Sequence, residues 1–310
     1  MRSRVAFALF LFLVPWASAS GPGDSDVIFD HKPKISDDLE RLLQRAKDGE
    51  PAAQFQLGIA YEAGKGTGQD YVQAVHWYQK AANSGNPAAQ NNLGTMYARG
   101  LGVPQDPKEA LKWYLRSAVE HHPAAENNVG YAYATGQGVP QDDSAAVTWY
   151  QRAAARGYAP AETNLAFMYS RGRGVAADMN EAINWYRKAA DANYAVAEFD
   201  LGVIYLRGME VAANTEEALK WLRRAAQHGS AAAENQLAYA YEHGLGVGQD
   251  LNAAAKWYRT AAEHGFADAR AKLEILPAIV HEVSRPRSGV DSQSFVGMGS
   301  QAGSVGSNPR

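Results

Sequence analysis

Two interleaved stripes of apolar residues run through most of this chain. In the first, Ala53, Leu57, Ala60 and Tyr61 stand at i, i+4, i+7 and i+8; in the second, Ala74, Trp77, Tyr78, Ala81 and Ala82 stand at i, i+3, i+4, i+7 and i+8. Each stripe predicts an α-helix with one buried side. The pair then recurs: Trp77, Trp113, Trp149, Trp185, Trp221 and Trp257 are each 36 residues apart. On that period Ala53, Ala89, Ala125, Ala161, Ala197 and Ala233 form one column. Leu57, Leu93, Val129, Leu165, Leu201 and Leu237 form a second, and Tyr61, Tyr97, Tyr133, Tyr169, Tyr205 and Tyr241 a third. A fixed period of this length marks an array of stacked supersecondary units.

Polar and glycine positions mark the joints. Gly64, Gly100, Gly136, Gly172, Gly208 and Gly244 follow the first helix, where a left-handed residue closes a helix without steric cost. Asp106 can accept from an unpaired first-turn amide of the second helix, Pro107 suits its first position and Glu109 completes a capping box. Asp178 with Glu181, and Asn214 with Glu217, repeat the theme. A column of small residues, Gly58, Gly94, Gly130 and Gly202 with Ala166 and Ala238, lets the two helix backbones approach closely. The prediction is six helix-turn-helix units at 51–86, 87–122, 123–158, 159–194, 195–230 and 231–266.

One such unit cannot bury its own apolar side, so neighbours must stack and the ends need covers. A capping helix is expected over 36–50, where Leu42 and Ala46 keep the stripe and Arg41 replaces Trp. A second is expected over 267–283, built on Ala269 and Leu273. Residues 284–310, rich in Ser and Gly and without periodicity, read as a disordered tail.

These columns resemble the SEL-1-like repeat family, a relative of the tetratricopeptide repeat. The second unit carries the family pattern as Leu93-Gly94, Tyr97, Gly100, Gly102-Val103, Gln105-Asp106, Ala110, Trp113-Tyr114 and Ala118. Departures gather in the fifth unit, where Glu210 replaces the second turn glycine, Asn214 replaces Asp and Leu222 replaces Tyr; His121 and Asn193 replace glycines that end second helices. The resemblance implies an all-α, right-handed α/α superhelical solenoid with half-repeat caps and a concave face lined by first helices. It also implies a scaffold or adaptor role, with no catalytic residues assigned.

On that geometry three first-helix columns point inward. They are Phe55, Asn91, Asn127, Thr163, Phe199 and Asn235; Ile59, Thr95, Tyr131, Phe167, Val203 and Tyr239; and Ala63, Arg99, Thr135, Arg171, Arg207 and His243. Asn91, Asn127 and Asn235 can pair with a peptide backbone through both donor and acceptor. Tyr131, Phe167, Tyr239, Arg99, Arg171 and Arg207 are of the residue types that dominate binding energy at interfaces. These nine are the candidate partner-binding residues. The alternative is that Tyr131, Phe167 and Tyr239 only pack against neighbouring units. The adjacent carboxamides Asn92, Asn128 and Asn164 are expected to tie repeats together.

Composition narrows the function. Lys and Arg total 30 against 33 Asp and Glu, a formal charge of −3, which argues against nucleic acid as the main partner. The absence of cysteine excludes a disulfide framework, zinc–thiolate sites and thiol catalysis. Arg2 and Arg4, the apolar run Val5 to Val14, Pro15 and Ala17-Ser18-Ala19 together read as a secretory signal peptide over 1–19, followed by a linker over 20–35. The run is short for a membrane span, and no second stretch of spanning length follows. A periplasmic or secreted protein is expected, with no membrane span after cleavage.

No motif carries a reaction. Gly244-Leu245-Gly246-Val247-Gly248 superficially looks like a phosphate loop, but no strand precedes it and the same turn recurs at the period. His281-Glu282 lacks the second His a zinc hydrolase needs. His121-His122 lies in an inter-repeat turn, Gln-Asp pairs such as Gln69-Asp70 read as helix caps, and Lys80, Arg116, Arg152, Lys188 and Arg224 read as a solvated outer face. No cofactor, metal or catalytic residue is expected. The chain reads as a non-catalytic protein–protein interaction scaffold or adaptor in the bacterial envelope or secreted space, with a peptide or protein along its concave face. The alternative is a glycan- or peptidoglycan-binding module, or a regulator of a cell-wall enzyme.

Overall fold

The computed structural model describes residues 37–283, so the predicted signal peptide, linker and tail lie outside the described residues. Fourteen helices and no strand occur among the described residues. Helix α1 (Asp37–Lys47) precedes six pairs: α2 (Pro51–Ala63) with α3 (Tyr71–Asn83), α4 (Pro87–Arg99) with α5 (Pro107–Val119), and α6 (Pro123–Thr135) with α7 (Asp143–Ala154). Then come α8 (Ala159–Arg171) with α9 (Met179–Asp191), α10 (Ala195–Arg207) with α11 (Thr215–Gln227), and α12 (Ala231–His243) with α13 (Leu251–Glu263). Helix α14 (Ala267–Val283) follows. Each helix packs chiefly on the one before and the one after it, which makes an all-α solenoid.

The turn within each repeat follows from its polar residues. The first helix ends on a glycine at positive φ, as at Gly100 (φ 69°), whose amide donates to the Met96 carbonyl. The chain then returns so that the Asp106 amide donates to the Tyr97 carbonyl at 2.9 Å. The same bond closes the turn at Asp142 on Tyr133, Asp178 on Tyr169, Asn214 on Tyr205 and Asp250 on Tyr241. The Asp106 carboxylate then accepts from the Lys108 and Glu109 amides, starting α5. Gln105, beside it, donates to the Ala98 carbonyl at 2.9 Å and covers a free helix end. A Gln-Asp pair therefore caps two helices at once.

Packing explains the recurring columns. The Ala and Leu columns of the first helices are all buried. Small residues are required where the second helix crosses: a Cβ on Gly94 would lie 2.7 Å from the Tyr114 ring, and one on Gly130 would lie 2.8 Å from the Tyr150 ring. The second turn glycine seats one repeat on the last. A Cβ on Gly102 would come within 2.3 Å of the Tyr71 carbonyl oxygen, and one on Gly138 within 2.3 Å of that of Pro107. In the fifth repeat Glu210 holds this place at φ 56°, a left-handed conformation costly for a residue with a side chain.

Candidate functional site

First helices of successive repeats lie side by side. Helix α6 touches α8 directly. Asn128 Nδ2 donates to Asn91 Oδ1 at 2.9 Å, and Asn164 Nδ2 donates to Asn127 Oδ1 at the same distance. The expected ties from Asn128 and Asn164 thus run to the candidate binding residues of the repeat before. Asn91 and Asn127 are each only 9% exposed, with their carbonyl oxygens already engaged. Asn235 is half-buried and its Oδ1 has no partner; the position that would supply the donating Asn holds Lys272, whose ammonium lies 3.8 Å from Glu242.

The aromatic candidates differ among themselves. Phe167 is half-buried and packs on the core of the third and fourth repeats. Tyr131 is half-buried beside Gln137, and desolvation raises its phenol above the usual value. Tyr239 is 38% exposed and stacks on His243 with ring centroids 4.1 Å apart. Arg99, Arg171 and Arg207 are exposed, and the Arg171 guanidinium lies 5.8 Å from the Phe167 ring centroid. The arginines and rings thus keep exposed surface, while the Asn pairs mainly hold repeats together.

Beneath these columns lie tyrosine hydroxyls from the second helices. Tyr78 donates to Glu62 and Tyr258 donates to Glu242, at the two ends of the array. In the fourth repeat Tyr186 pairs with Asp200, which stands in the column of Asn92, Asn128 and Asn164. Burial pushes the Asp200 carboxyl up to about 7, with the Tyr186 hydrogen bond opposing the rise.

A second column was not foreseen from the sequence. Gln54, Gln90, Glu126, Glu162, Glu198 and Glu234 follow the alanine column, and all six are buried. The two glutamines donate to the carbonyls of Ala46 and Ala82 on the preceding helix. The glutamates instead meet basic side chains from the second helix of their own repeat or from the turn that follows it. Arg152 and Arg156 hold Glu126 at 3.1 and 3.2 Å, Arg224 and His228 lie 3.0 and 2.7 Å from Glu198, and His264 lies 2.9 Å from Glu234. Burial raises the Glu162 carboxyl, opposed by the charge of Lys188. The spacing of 26 or 30 residues between each glutamate and a following Arg, Lys or His was the available signal.

The basic column read as solvated is more than that. Each of Lys80, Arg116, Arg152, Lys188 and Arg224 sits over the tryptophan three residues earlier, at 3.5 to 4.9 Å from the ring centroid. Among the described residues, no group of three or more His, Asp or Glu is placed to hold a metal ion, and no helix is long and apolar enough to cross a membrane.

Six stacked helix pairs with a shared turn and a shared small-residue crossing define a repeat solenoid. The chain belongs to the Sel1 repeat family, whose pattern matches residues 51–86, 87–118, 123–158, 159–194, 195–230 and 231–266. It is similar to a Sel1 repeat protein from Oxalobacter formigenes of known crystal structure: identity is 36%, coverage 74% of this chain and 95% of the other, and TM-score 0.69. A protective antigen present in uropathogenic Escherichia coli strains, displaying an SLR fold, is 31% identical over 79% of this chain and 60% of its own, with a TM-score of 0.46. An immunity protein from Pseudomonas aeruginosa is 20% identical over 77% and 86% of the two chains, TM-score 0.50, a likeness of fold alone. No curated protein matches significantly. Sel1 repeat proteins are generally non-catalytic scaffolds for protein–protein interaction.

Proposed function

We propose that this protein is a non-catalytic scaffold of the bacterial envelope or secreted space that holds a peptide or protein partner along an inner wall made by its first helices. The observation that supports this reading is the pair of asparagine bonds that ties α4, α6 and α8 side by side, with Arg99, Tyr131, Phe167 and Arg171 carried on those three helices and Arg207 and Tyr239 on α10 and α12. Such a wall is rigid before binding, so little ordering cost falls on the scaffold. The N-terminal basic, apolar and small-residue pattern supports export.

A photoreactive benzoylphenylalanine at position 131, in cells that produce the protein, tests the wall. The expected result is one or a few discrete protein adducts that do not form from position 119, where Val119 is exposed on α5. No protein adduct from 131, or the same adducts from both positions, overturns the reading. A second reading rests on Tyr239: an exposed ring stacked on His243 also suits the face of a sugar. Pull-down on purified peptidoglycan, lost on Tyr239→Ala, would favour it.

A further inference from the structure

Several basic side chains on the second helices, and in the turns after them, are already matched. Arg152 and Arg156 hold Glu126, Arg224 lies against Glu198, and Lys112 pairs with Glu109. The arginines that close the first helices differ. Arg99, Arg171 and Arg207 are exposed and form no ion pair among the described residues. They share one column, with Arg171 and Arg207 one period apart and Arg99 two periods before Arg171.

The helix dipole favours a cation at this end of a helix. That does not account for the column, because Ala63 and Thr135 hold the same position in the first and third repeats. From the second repeat to the fourth, the columns of Asn92, Thr95 and Ala98 beside the arginines carry carboxamides, hydroxyls, aromatics and alanine; exposed Glu210 follows Arg207 in the fifth, and within these columns the acids on either side are Glu62 and Asp200. Those two acids, and Glu242 at the far end, are each taken by a tyrosine hydroxyl. Three exposed arginines without an ion pair therefore share one column of the first helices. Arg171 lies over Phe167, which holds its guanidinium near an aromatic surface, and the Tyr239–His243 stack repeats that i, i+4 arrangement.

We infer that the segment held along this wall is acidic: an extended partner peptide whose carboxylates meet Arg171 and Arg207, and further along Arg99. This rests on the inner-wall reading above and names the chemistry of its partner. Packed helices lie about 8–10 Å apart, and an extended chain of polyproline II form rises about 3.1 Å per residue with every third side chain on the same side. One repeat step thus corresponds to about three peptide residues. A carboxylate at every third residue matches adjacent arginines in either chain direction, and each contact is a charge-assisted fork of two hydrogen bonds.

The probe is a fluorescein-labelled peptide of four glutamate-serine-tyrosine units, followed by anisotropy at low and physiological salt. The comparison peptides carry glutamine or lysine in place of glutamate. Arg171→Ala/Arg207→Ala is compared with Arg223→Ala/Arg259→Ala, which removes the same charge from exposed positions on α11 and α13. The expected result is binding of the glutamate peptide that weakens about tenfold or more in the first variant, with less than about a twofold change in the second, together with weakening by salt. Circular dichroism of both variants should match the wild type, since all four side chains are exposed. Equal binding of the glutamine or lysine peptide, no binding of any peptide, or equal loss in both variants overturns the inference. If position 131 captures a protein while the glutamate peptide shows no preference, the acidic chemistry fails and the wall stands. If position 131 captures nothing, the wall itself fails.

Discussion

Glu126 is completely buried, and Arg152 reaches it at 3.1 Å from the second helix of the same repeat. Arg156 takes the other carboxylate oxygen at 3.2 Å. The two ends of this contact are unequal: both arginine heads keep solvent, whereas the carboxylate has none. Removing the arginines in Arg152→Ala/Arg156→Ala leaves a buried charge uncompensated and should cost about 3 kcal/mol. Glu126→Gln should cost less than about 1 kcal/mol, because Gln54 and Gln90 in the same column donate to a backbone carbonyl eight residues earlier. Urea denaturation of both variants checks the order; a larger loss for Glu126→Gln contradicts it.

Asp200 gives a pH dependence with a definite sign. Its folded value is lifted from 3.8 to about 7, first by burial. The folded protein therefore holds that proton more tightly than the unfolded chain does. The stability this adds is present below the unfolded value and is lost as pH rises through about 7. Asp200→Asn removes the titration and restores the carboxamide found at Asn92, Asn128 and Asn164. The variant should be the more stable by about 1 kcal/mol or more at pH 8, with the difference shrinking towards pH 4. Denaturation midpoints at both pH values test this, and a gap that widens on acidification would show the sign to be wrong.

Gly130 lies under the Tyr150 ring, and Ala166 and Ala238 occupy the same column in the fourth and sixth repeats, fully buried. A methyl group is therefore tolerated with a small shift. Gly130→Ala should change stability by less than about 1 kcal/mol, since the gain in helix propensity offsets the crowding. Gly130→Val adds branching against the ring and should cost about 2–3 kcal/mol. Thermal melts of the pair are decisive if they show the two substitutions to be equivalent.

Glu210 occupies a left-handed position that glycine fills in the other five repeats. Glu210→Gly should stabilise the protein by about 0.5–1 kcal/mol, the left-handed penalty less the added backbone entropy of the unfolded chain. The glycine also lets the turn settle closer to the start of α9, as Gly102 does on Tyr71. A lowered denaturation midpoint would mean that Glu210 makes a compensating contact.

The solenoid was legible because its determinants are local: spacing, capping residues and small crossing residues repeat every 36 positions. Burial of the alanine and leucine columns follows directly from the stripe. The face was harder. Asn91 and Asn92 look alike in sequence, and their different roles depend on the offset of 37 residues between neighbouring repeats, which places Asn128 against Asn91. The buried glutamates were missed for a related reason. A glutamate early in a helix reads as an exposed residue favoured by the dipole, and only the packed position of Arg152 or His228 shows that it lies inside.

Among the described residues, the longest-range side-chain hydrogen bond, from Arg173 to the Ala134 carbonyl, spans 39 residues. Each of these bonds can thus form once little more than a single unit has followed, so the polypeptide can fold in order as it emerges, without waiting for its far end. Such short-range topology favours rapid folding and limits the time during which sticky surfaces lie open.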